Sequence, residues 1–313
     1  MKIVFFGTPT FSLPFLQELI QDKEMNVVGV VTQPDKPADR GQKLQSSPIK
    51  IFAQEHGIKV FDFVSLKTSE AVSALEALGA DAFVVVAYGK IIPESILSLT
   101  RLGCINVHPS LLPRHRGPSP MPWTILERDI VGGITIMQLD KGMDTGPILT
   151  QEQIPIDPQE TLETLQAKVH LAGPLLLIKT LKLFFAGAIH PQQQDETKAT
   201  VTHLLSKEDG KIDWQKPAAF LERQWRAYEP WPGLWTTWMK KENVMRLLLK
   251  EVSVVPRECL VPGRVHILND RNLFVETTDG YLEIHHIQPE GKSVMSAEAF
   301  VRGYRDIDGV VLA

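Results

Sequence analysis

The chain has 313 residues, of which 43% are hydrophobic and 22% are charged, and its formal net charge is −4. This length is ample for one large domain or two smaller ones, and the composition is ordinary for a soluble globular protein. The small negative charge argues against a uniformly basic surface of the kind that binds nucleic acid.

The cysteines and the hydrophobic pattern indicate the cellular compartment of the protein. The two cysteines, Cys104 and Cys259, lie far apart in the sequence, which fits a reducing compartment and excludes a zinc site built on cysteines alone. The apolar run at the N-terminus is too short for a signal peptide, and no later run reaches membrane-spanning length. The sequence therefore predicts a soluble cytoplasmic protein.

The first part of the chain alternates between apolar runs and helical patterns. Residues 2–6 form an apolar run that ends at Gly7, a helical pattern follows, and residues 27–31 form a second apolar run. Such runs are typical of strands buried on both faces, so the pattern predicts a Rossmann-like, doubly wound, mostly parallel α/β sheet. The turn at Gly7 lacks the G-x-G-x-x-G pattern, so a dinucleotide is not supported.

A long polar segment, residues 33–48, follows the second predicted strand and contains several prolines and a glycine. Segments of this kind are usually either functional or disordered. Arg40 and Lys43 are among its cations, but nearby aspartates leave it only slightly positive. From composition alone we expect a solvated loop.

Two further strands are expected in the middle of the chain. One is the apolar run at residues 82–87, which leads into Tyr88 and Gly89, and the next ends at Asn106 and His108. In open α/β sheets, ligands bind beyond the carboxyl ends of the strands. We therefore expect these two strand ends to border one crevice.

The composition changes after about residue 188. Residues 189–205 are polar and without a pattern, which predicts a linker between a first domain of residues 1–188 and a second of residues 206–313. The second domain has short alternating strands separated by turns, which predicts a small OB-like β-barrel.

Three polar residues form the candidate catalytic group. Asn106 and His108 are two positions apart on an extended segment, so their side chains point to the same face, and Asp144 lies in a loop between two predicted strands. An amide can stabilise an oxyanion, an imidazole can transfer a proton near neutral pH, and a carboxylate can orient or charge that imidazole. Because no serine or cysteine is paired with a base, the group suits direct attack of an amine on a carbonyl-level carbon.

Each of these residues also has a purely structural interpretation, as a strand-end cap, a buried histidine before a proline, and a turn aspartate. Asp144 begins the Asp-Thr-Gly tripeptide of aspartic proteases, but that chemistry needs two carboxylates and the sequence has no second such tripeptide. Cys104 has no neighbouring cation in the sequence that would lower its pKa, and we predict a buried strand thiol.

Three motifs surround the catalytic candidates: Asn106-Val-His108-Pro-Ser-Leu-Leu-Pro-Arg, Gly-Ile-Thr-Ile-Met at 133–137, and Gly-Met-Asp144-Thr-Gly. Together they resemble the formyltransferases that use 10-formyltetrahydrofolate as a co-substrate. The resemblance implies that Asn106, His108 and Asp144 are catalytic and that no metal takes part. The residues it assigns to folate binding are Ser110, Leu111, Leu112, Pro113, Tyr88 and Gly89.

Features outside these motifs resemble the members of that family that formylate methionyl-tRNA. They include Phe-Gly-Thr-Pro at 6–9, the loop that contains Arg40, and Lys-Ile-Asp-Trp at 211–214. The resemblance implies that the formyl group goes to the α-amine of initiator methionyl-tRNA, that Arg40 and Lys43 contact this tRNA, and that the second domain holds it. It implies no obligate protein partner. His115 stands where these enzymes commonly have an aromatic residue.

Two other functions remain open. The first is formyl transfer to another amine, such as a sugar nucleotide or a ribonucleotide, for which the residues after about 205 would be dispensable. The second is a folate- or RNA-binding module without catalytic activity, and the complete set of catalytic candidates argues against it.

Overall fold

The computed structural model describes residues 1–38, 43–259 and 261–313, and for residues 36–38 and 43 it describes the backbone only. The chain divides into two units, which are described separately. Unit 1 consists of Met1–Pro120, Val131–Pro155 and Gln166–Thr202, and unit 2 consists of Met121–Ile130, Ile156–Leu165 and His203–Ala313. The domain limits predicted from the sequence stay a prediction.

Strands and helices alternate along the first part of the chain. In chain order they are β1 (Lys2–Gly7), α1 (Leu13–Gln21), β2 (Asn26–Val31), β3 (Lys36–Ala38), β4 (Lys43–Gln45), α2 (Pro48–Glu55), β5 (Val60–Phe61), α3 (Ser69–Glu76), β6 (Ala82–Val86), α4 (Glu94–Leu97) and β7 (Cys104–His108). The next elements are α5 (Pro120–Leu126), β8 (Val131–Gln138), β9 (Ile148–Pro155) and α6 (Leu162–Phe185). Every residue of β6 is buried, which explains its unbroken apolar sequence.

The large sheet of unit 1 has the strand order β5-β2-β1-β6-β7-β8-β9. The pairs from β5 through β7 are parallel, and β8 and β9 add antiparallel pairs at one edge. The predicted mostly parallel, doubly wound α/β sheet is therefore confirmed. From β1 the strand order continues through β2 to β5, and from β6 it continues in the opposite direction through β7. Sheets of this kind bind ligands where the order reverses, in the crevice beyond the carboxyl ends of the strands.

Part of the polar segment at residues 33–48 is not a loop. β3 and β4 form a short antiparallel hairpin in which Lys36 pairs with Gln45. The prediction of a loop was wrong for these strands, because they are short and polar and show no alternation of apolar residues. Arg40 lies outside the described residues, and Lys43 is the first residue of β4.

Unit 2 contains an antiparallel sheet with helices packed on it. Its elements are α7 (Ala218–Tyr228), β10 (Leu234–Lys240), β11 (Asn243–Val255), β12 (Val265–Leu268), β13 (Asn272–Glu276), β14 (Tyr281–Pro289), β15 (Met295–Ser296) and α8 (Ala297–Gly303). The strand order is β10-β11-β14-β13-β12, with β15 paired to β14. This half-barrel confirms the predicted C-terminal β fold. Strand β10 was not predicted, since its buried leucine and tryptophan are adjacent instead of alternating.

The core of unit 2 lies between this sheet and α7 and α8. Trp238 on β10 and Phe300 on α8 are almost fully buried in it, with the inward-facing leucines and valines of the sheet around them. Among the helices in the described ranges, none combines the length and the apolar character that crossing a membrane would require.

Candidate active site

Strand β7 carries Asn106 and His108 at its carboxyl end. In the sheet, Asn106 pairs with Val85 of β6 on one side, and His108 pairs with Thr135 of β8 on the other. Alternate residues of a strand share a face, so Asn106 and His108 point the same way, as predicted, and Cys104 shares their face. Cys104 is buried as predicted, and burial raises the pKa of its thiol to about 12, so that it stays protonated.

Asp144 lies in the loop between β8 and β9 and reaches the end of β7. Its Oδ2 lies 3.6 Å from Nδ1 of His108, and the two side chains are 16% and 5% exposed. The same Oδ2 accepts a hydrogen bond of 2.8 Å from the backbone N–H of Gly117. The structure thus brings together two candidates that are far apart in sequence.

The protonation of His108 follows from its neighbours. Its Nε2 lies 2.9 Å from the carbonyl oxygen of His115, which can only accept, so Nε2 carries the proton and Nδ1 faces Asp144. Burial lowers the pKa of His108 below its ordinary value, and this outweighs the opposite influence of the Asp144 carboxylate. His108 is therefore neutral at neutral pH. Of the two roles that a carboxylate can have here, this favours orienting the imidazole over keeping it charged.

The gap between His108 and Asp144 has a chemical consequence. A separation of 3.6 Å exceeds normal hydrogen-bond length, and with Nε2 protonated both facing atoms are acceptors. A group that donates a proton, such as an amine, is what this pair can receive. The arrangement suits proton transfer from an incoming nucleophile.

We expect His108 to make folding stability depend on pH in the acidic range. Since its pKa is lowered on folding, the unfolded chain binds more protons, and stability falls as pH drops below about 6.5, the ordinary histidine value, with no effect above it. Denaturant unfolding at about pH 5 and about pH 7.5 measures this for the wild type and for His108→Gln. We expect the variant to lose less stability on acidification, and an equal loss in both proteins would contradict the prediction.

The side chain of Asn106 lies on the same face of β7 as that of His108. It is only partly buried, and across the described ranges its side-chain amide makes no hydrogen bond to the protein. The amide N–H groups are therefore available to a ligand, and no capping role is seen. A preorganised donor next to the His108 side chain can stabilise an oxygen on which negative charge develops.

The residues after His108 that were predicted to contact folate form a turn held against β8. Ser110 and Leu112 are buried, and Thr135 ties them together: its Oγ1 donates to the Ser110 carbonyl at 2.7 Å and accepts from the Leu112 N–H at 3.1 Å. Leu111 and Pro113 are half-buried. Thr135 was not among the predicted site residues, although a polar residue between two isoleucines in a buried strand was a usable signal.

Tyr88 and Gly89 lie at the carboxyl end of β6. The Tyr88 ring packs edge-on against Phe6 and is 2% exposed, and burial raises the pKa of its hydroxyl to about 12. Its backbone carbonyl accepts hydrogen bonds of 2.9 Å from Thr8 Oγ1 and Gln33 Nε2. The ring is thus part of the core, and the backbone lies at the carboxyl end of a central strand.

A cavity of about 570 Å³ opens near the carboxyl ends of β1 and β2. It is lined by polar and apolar residues from the start of α1, from the length of α2 and from the segments that precede these helices: Thr8, Pro9, Leu13, Gln33, Pro34, Gln45, Ser46, Ser47, Pro48, Ile51, Phe52 and Glu55. Thr8 and Gln33 connect this cavity to the Tyr88 carbonyl. Within the part of the chain that the structure describes, no cluster of three or more potential metal ligands is present.

Comparison with known families matches both parts of the chain. The profile of the family described as "Formyl transferase" matches residues 1–181, and that described as "Formyl transferase, C-terminal domain" matches residues 204–305.

Three solved structures illustrate the fold. HypX from Aquifex aeolicus, in complex with tetrahydrofolic acid, has a TM-score of 0.63 and 18% identity over 97% of this chain and 47% of its own, so this chain spans about half of HypX. WlaRD, a sugar 3N-formyl transferase solved in the presence of dTDP and 5-N-formyl-THF, has a TM-score of 0.63 and 20% identity over 94% of this chain and 99% of its own. Phosphoribosylglycinamide formyltransferase from Bacillus halodurans has a TM-score of 0.52 and 26% identity over 60% of this chain and 97% of its own. Because the first profile alone covers more than half of the sequence, the chain belongs to the formyl transferase family.

Proposed function

We propose that this protein transfers the formyl group of 10-formyltetrahydrofolate to the α-amine of initiator methionyl-tRNA in the cytoplasm. The observation that carries formyl transfer is the neutral His108 Nδ1 facing the Asp144 carboxylate, next to the unoccupied amide donors of Asn106. The folate donor is supported by the family and by the folates present in the HypX and WlaRD structures.

In the proposed reaction the amine nitrogen attacks the formyl carbon, a C–N bond forms, and the carbonyl electron pair moves onto oxygen. Asn106 donates a hydrogen bond to this oxyanion. His108 Nδ1 accepts the proton that the amine loses, and Asp144 stabilises the resulting imidazolium. As the bond to N10 of the folate breaks, His108 returns the proton to N10, so that charge and atoms balance.

The same geometry suggests where the folate donor lies. Leu111 and Pro113 are half-buried on the turn that follows His108, and the backbone at Tyr88 and Gly89 lies at the carboxyl end of the neighbouring strand β6. We assign these four residues to the folate site. Ser110 and Leu112 would then shape the site from behind, since their polar groups already bond within the protein.

The tRNA as amine carrier is supported by unit 2 and by the resemblance of the loop containing Arg40 and Lys43. In unit 2, Lys240 lies over the rings of Trp238 and Tyr304, at 4.8 and 4.5 Å from their centroids, and Arg246 lies 3.7 Å from the centroid of the Trp235 ring. The rings of Trp235 and Trp238 are themselves buried, so what this part of unit 2 offers a nucleic acid is the cationic groups of Lys240 and Arg246, which can neutralise backbone phosphates. We assign the holding of the tRNA to unit 2 and the contact with its acceptor end to Arg40 and Lys43.

An assay that offers several amines tests the proposal. With 10-formyltetrahydrofolate as donor, we expect formylation of charged initiator tRNA, much slower reaction of charged elongator tRNA, and none of amino-sugar nucleotides or phosphoribosyl amines. Faster formylation of one of the small amines would replace the tRNA assignment with the alternative substrate class. Folate binding without transfer to any amine would indicate a binding module and would refute the enzymatic proposal.

A further inference from the structure

The segment of residues 192–202 binds both loops that build the candidate active site. At one end, Gln192 forms an antiparallel bridge with Ile148, which follows the Asp144 loop. At the other end, Thr200 Oγ1 accepts a hydrogen bond of 2.8 Å from the N–H of His115, the residue whose carbonyl fixes His108. The sequence predicted a linker here, but within unit 1 this segment is bonded to the site.

Gln194 makes the most direct contact with the Asp144 loop. Its Nε2 donates to the carbonyl oxygens of Asp144, at 2.8 Å, and Gly146, at 2.7 Å. Its Oε1 accepts from Nε and Nη2 of Arg116, at 3.0 and 2.8 Å. Carbonyls only accept and a guanidinium only donates, so one orientation of the amide satisfies all four bonds.

Arg116 is in turn held in place. It is buried, at 4% exposure, and forms a two-pronged ion pair with Glu196, with N···O distances of 2.7 and 2.8 Å. Paired hydrogen bonds of this kind fix the plane of the guanidinium. A continuous hydrogen-bonded path therefore runs from Glu196 through Arg116 and Gln194 to the backbone of Asp144.

The backbone of Asp144 has an uncommon conformation. Its φ is +54°, in the left-handed region that non-glycine residues adopt at a cost. This conformation directs the carboxylate toward both His108 and the Gly117 N–H. The two carbonyls that Gln194 binds lie at this residue and two positions after it, so the amide holds the part of the loop that sets the direction of the carboxylate.

We propose that Gln194 is a positioning residue for formyl transfer, acting through Asp144, and that Arg116 and Glu196 orient it. The proposal rests on the catalytic role proposed for Asp144. The proposal adds to the active site a segment that follows α6 and contains no catalytic residue. Gln194 would set the distance between the carboxylate and His108, and with it the ability of this pair to take the proton of the amine.

The decisive variants are Gln194→Leu, which removes both functions of the amide, and Gln194→Glu, which keeps an acceptor for Arg116 but removes the donors to the loop. The matched control is Gln193→Leu, the same change at the preceding position, whose side chain is exposed and makes no hydrogen bond in the described ranges. We expect kcat to fall roughly 10- to 100-fold in both Gln194 variants, with KM for the folate changed less than about threefold.

The pKa of His108, followed by NMR of its ring, is the second readout. Asp144 raises this pKa against the effect of burial, so a displaced carboxylate should lower it further in Gln194→Leu, and the Gln193 control should match the wild type. Gln194→Glu adds a carboxylate near the site, which acts on this pKa in the opposite direction, so that variant is compared by kcat alone. The other ionisable side chain that acts on this pKa, His115, is unchanged in Gln194→Leu and in the Gln193 control. A residue that only stabilises the fold would shift the unfolding midpoint and leave this pKa alone.

The outcomes separate the two proposals. In folded protein, a kcat within about twofold of the wild-type value in either Gln194 variant, or an unchanged His108 pKa in Gln194→Leu, would overturn the positioning role. An equal loss in the Gln193 control would also overturn it. If the wild type formylates no amine, the proposed function fails, whereas the NMR titration still decides whether Gln194 positions Asp144.

Discussion

Asp144→Asn is expected to lower kcat by about 10²- to 10⁴-fold, with only small changes in KM for either substrate. The amide still reaches the Gly117 N–H, so the loop is kept, but it has no negative charge to stabilise the imidazolium that forms when His108 takes the amine proton. His108→Gln should give a loss of the same order, because it removes the acceptor itself.

The two residues act on one proton, which the double variant can show. Asp144→Asn combined with His108→Gln should be little worse than the poorer single variant, because a residue that stabilises the imidazolium has no function once the imidazole is gone. Asp140→Asn is the control: it makes the same change in the same loop, at a carboxylate that bonds Thr145 and the Gly142 N–H. Single-turnover rates with saturating substrates measure the effect, and near-normal turnover of Asp144→Asn would disprove the mechanism.

Gly117→Ala should cause the second large effect, a fall in kcat of roughly 10²-fold together with a stability loss of about 1–3 kcal/mol. Gly117 has a φ of +100°, and a β-carbon there would lie 2.6 Å from the carbonyl oxygen of Thr202. Both the backbone angle and this contact force the chain to move. The movement breaks the hydrogen bond from the Gly117 N–H to Asp144 and frees the carboxylate.

Gly79→Ala is the control that separates the effect of backbone strain from the effect of moving the Gly117 N–H. Gly79 also has a positive φ, of +56°, but a β-carbon there would meet no atom within 4 Å, and the residue follows α3, outside the site. We expect this control to lose some stability and to keep its turnover. Thermal unfolding and kcat should be measured on the same preparations. If Gly117→Ala keeps normal turnover, the backbone N–H of Gly117 does not position Asp144.

Much of unit 1 was predictable from local pattern. The apolar runs at β1, β2 and β6 mark strands buried on both faces, and the position of Asn106 and His108 on one face of β7 follows from the period of two in a strand. The hairpin of β3 and β4 escaped prediction because it is polar and short. Strand β10 escaped because its pattern does not alternate.

The sequence alone determined the chemical groups, the fold class and the family resemblance, because these depend on residue identity and on periodicity over a few neighbouring positions. Only the tertiary structure decided how the groups act together. It placed Asp144 3.6 Å from His108, left His108 neutral through burial, and joined Gln194 to the Asp144 loop across 50 positions of the chain. Contacts between distant segments and the desolvation of a side chain depend on how the whole unit packs, and no local pattern records them.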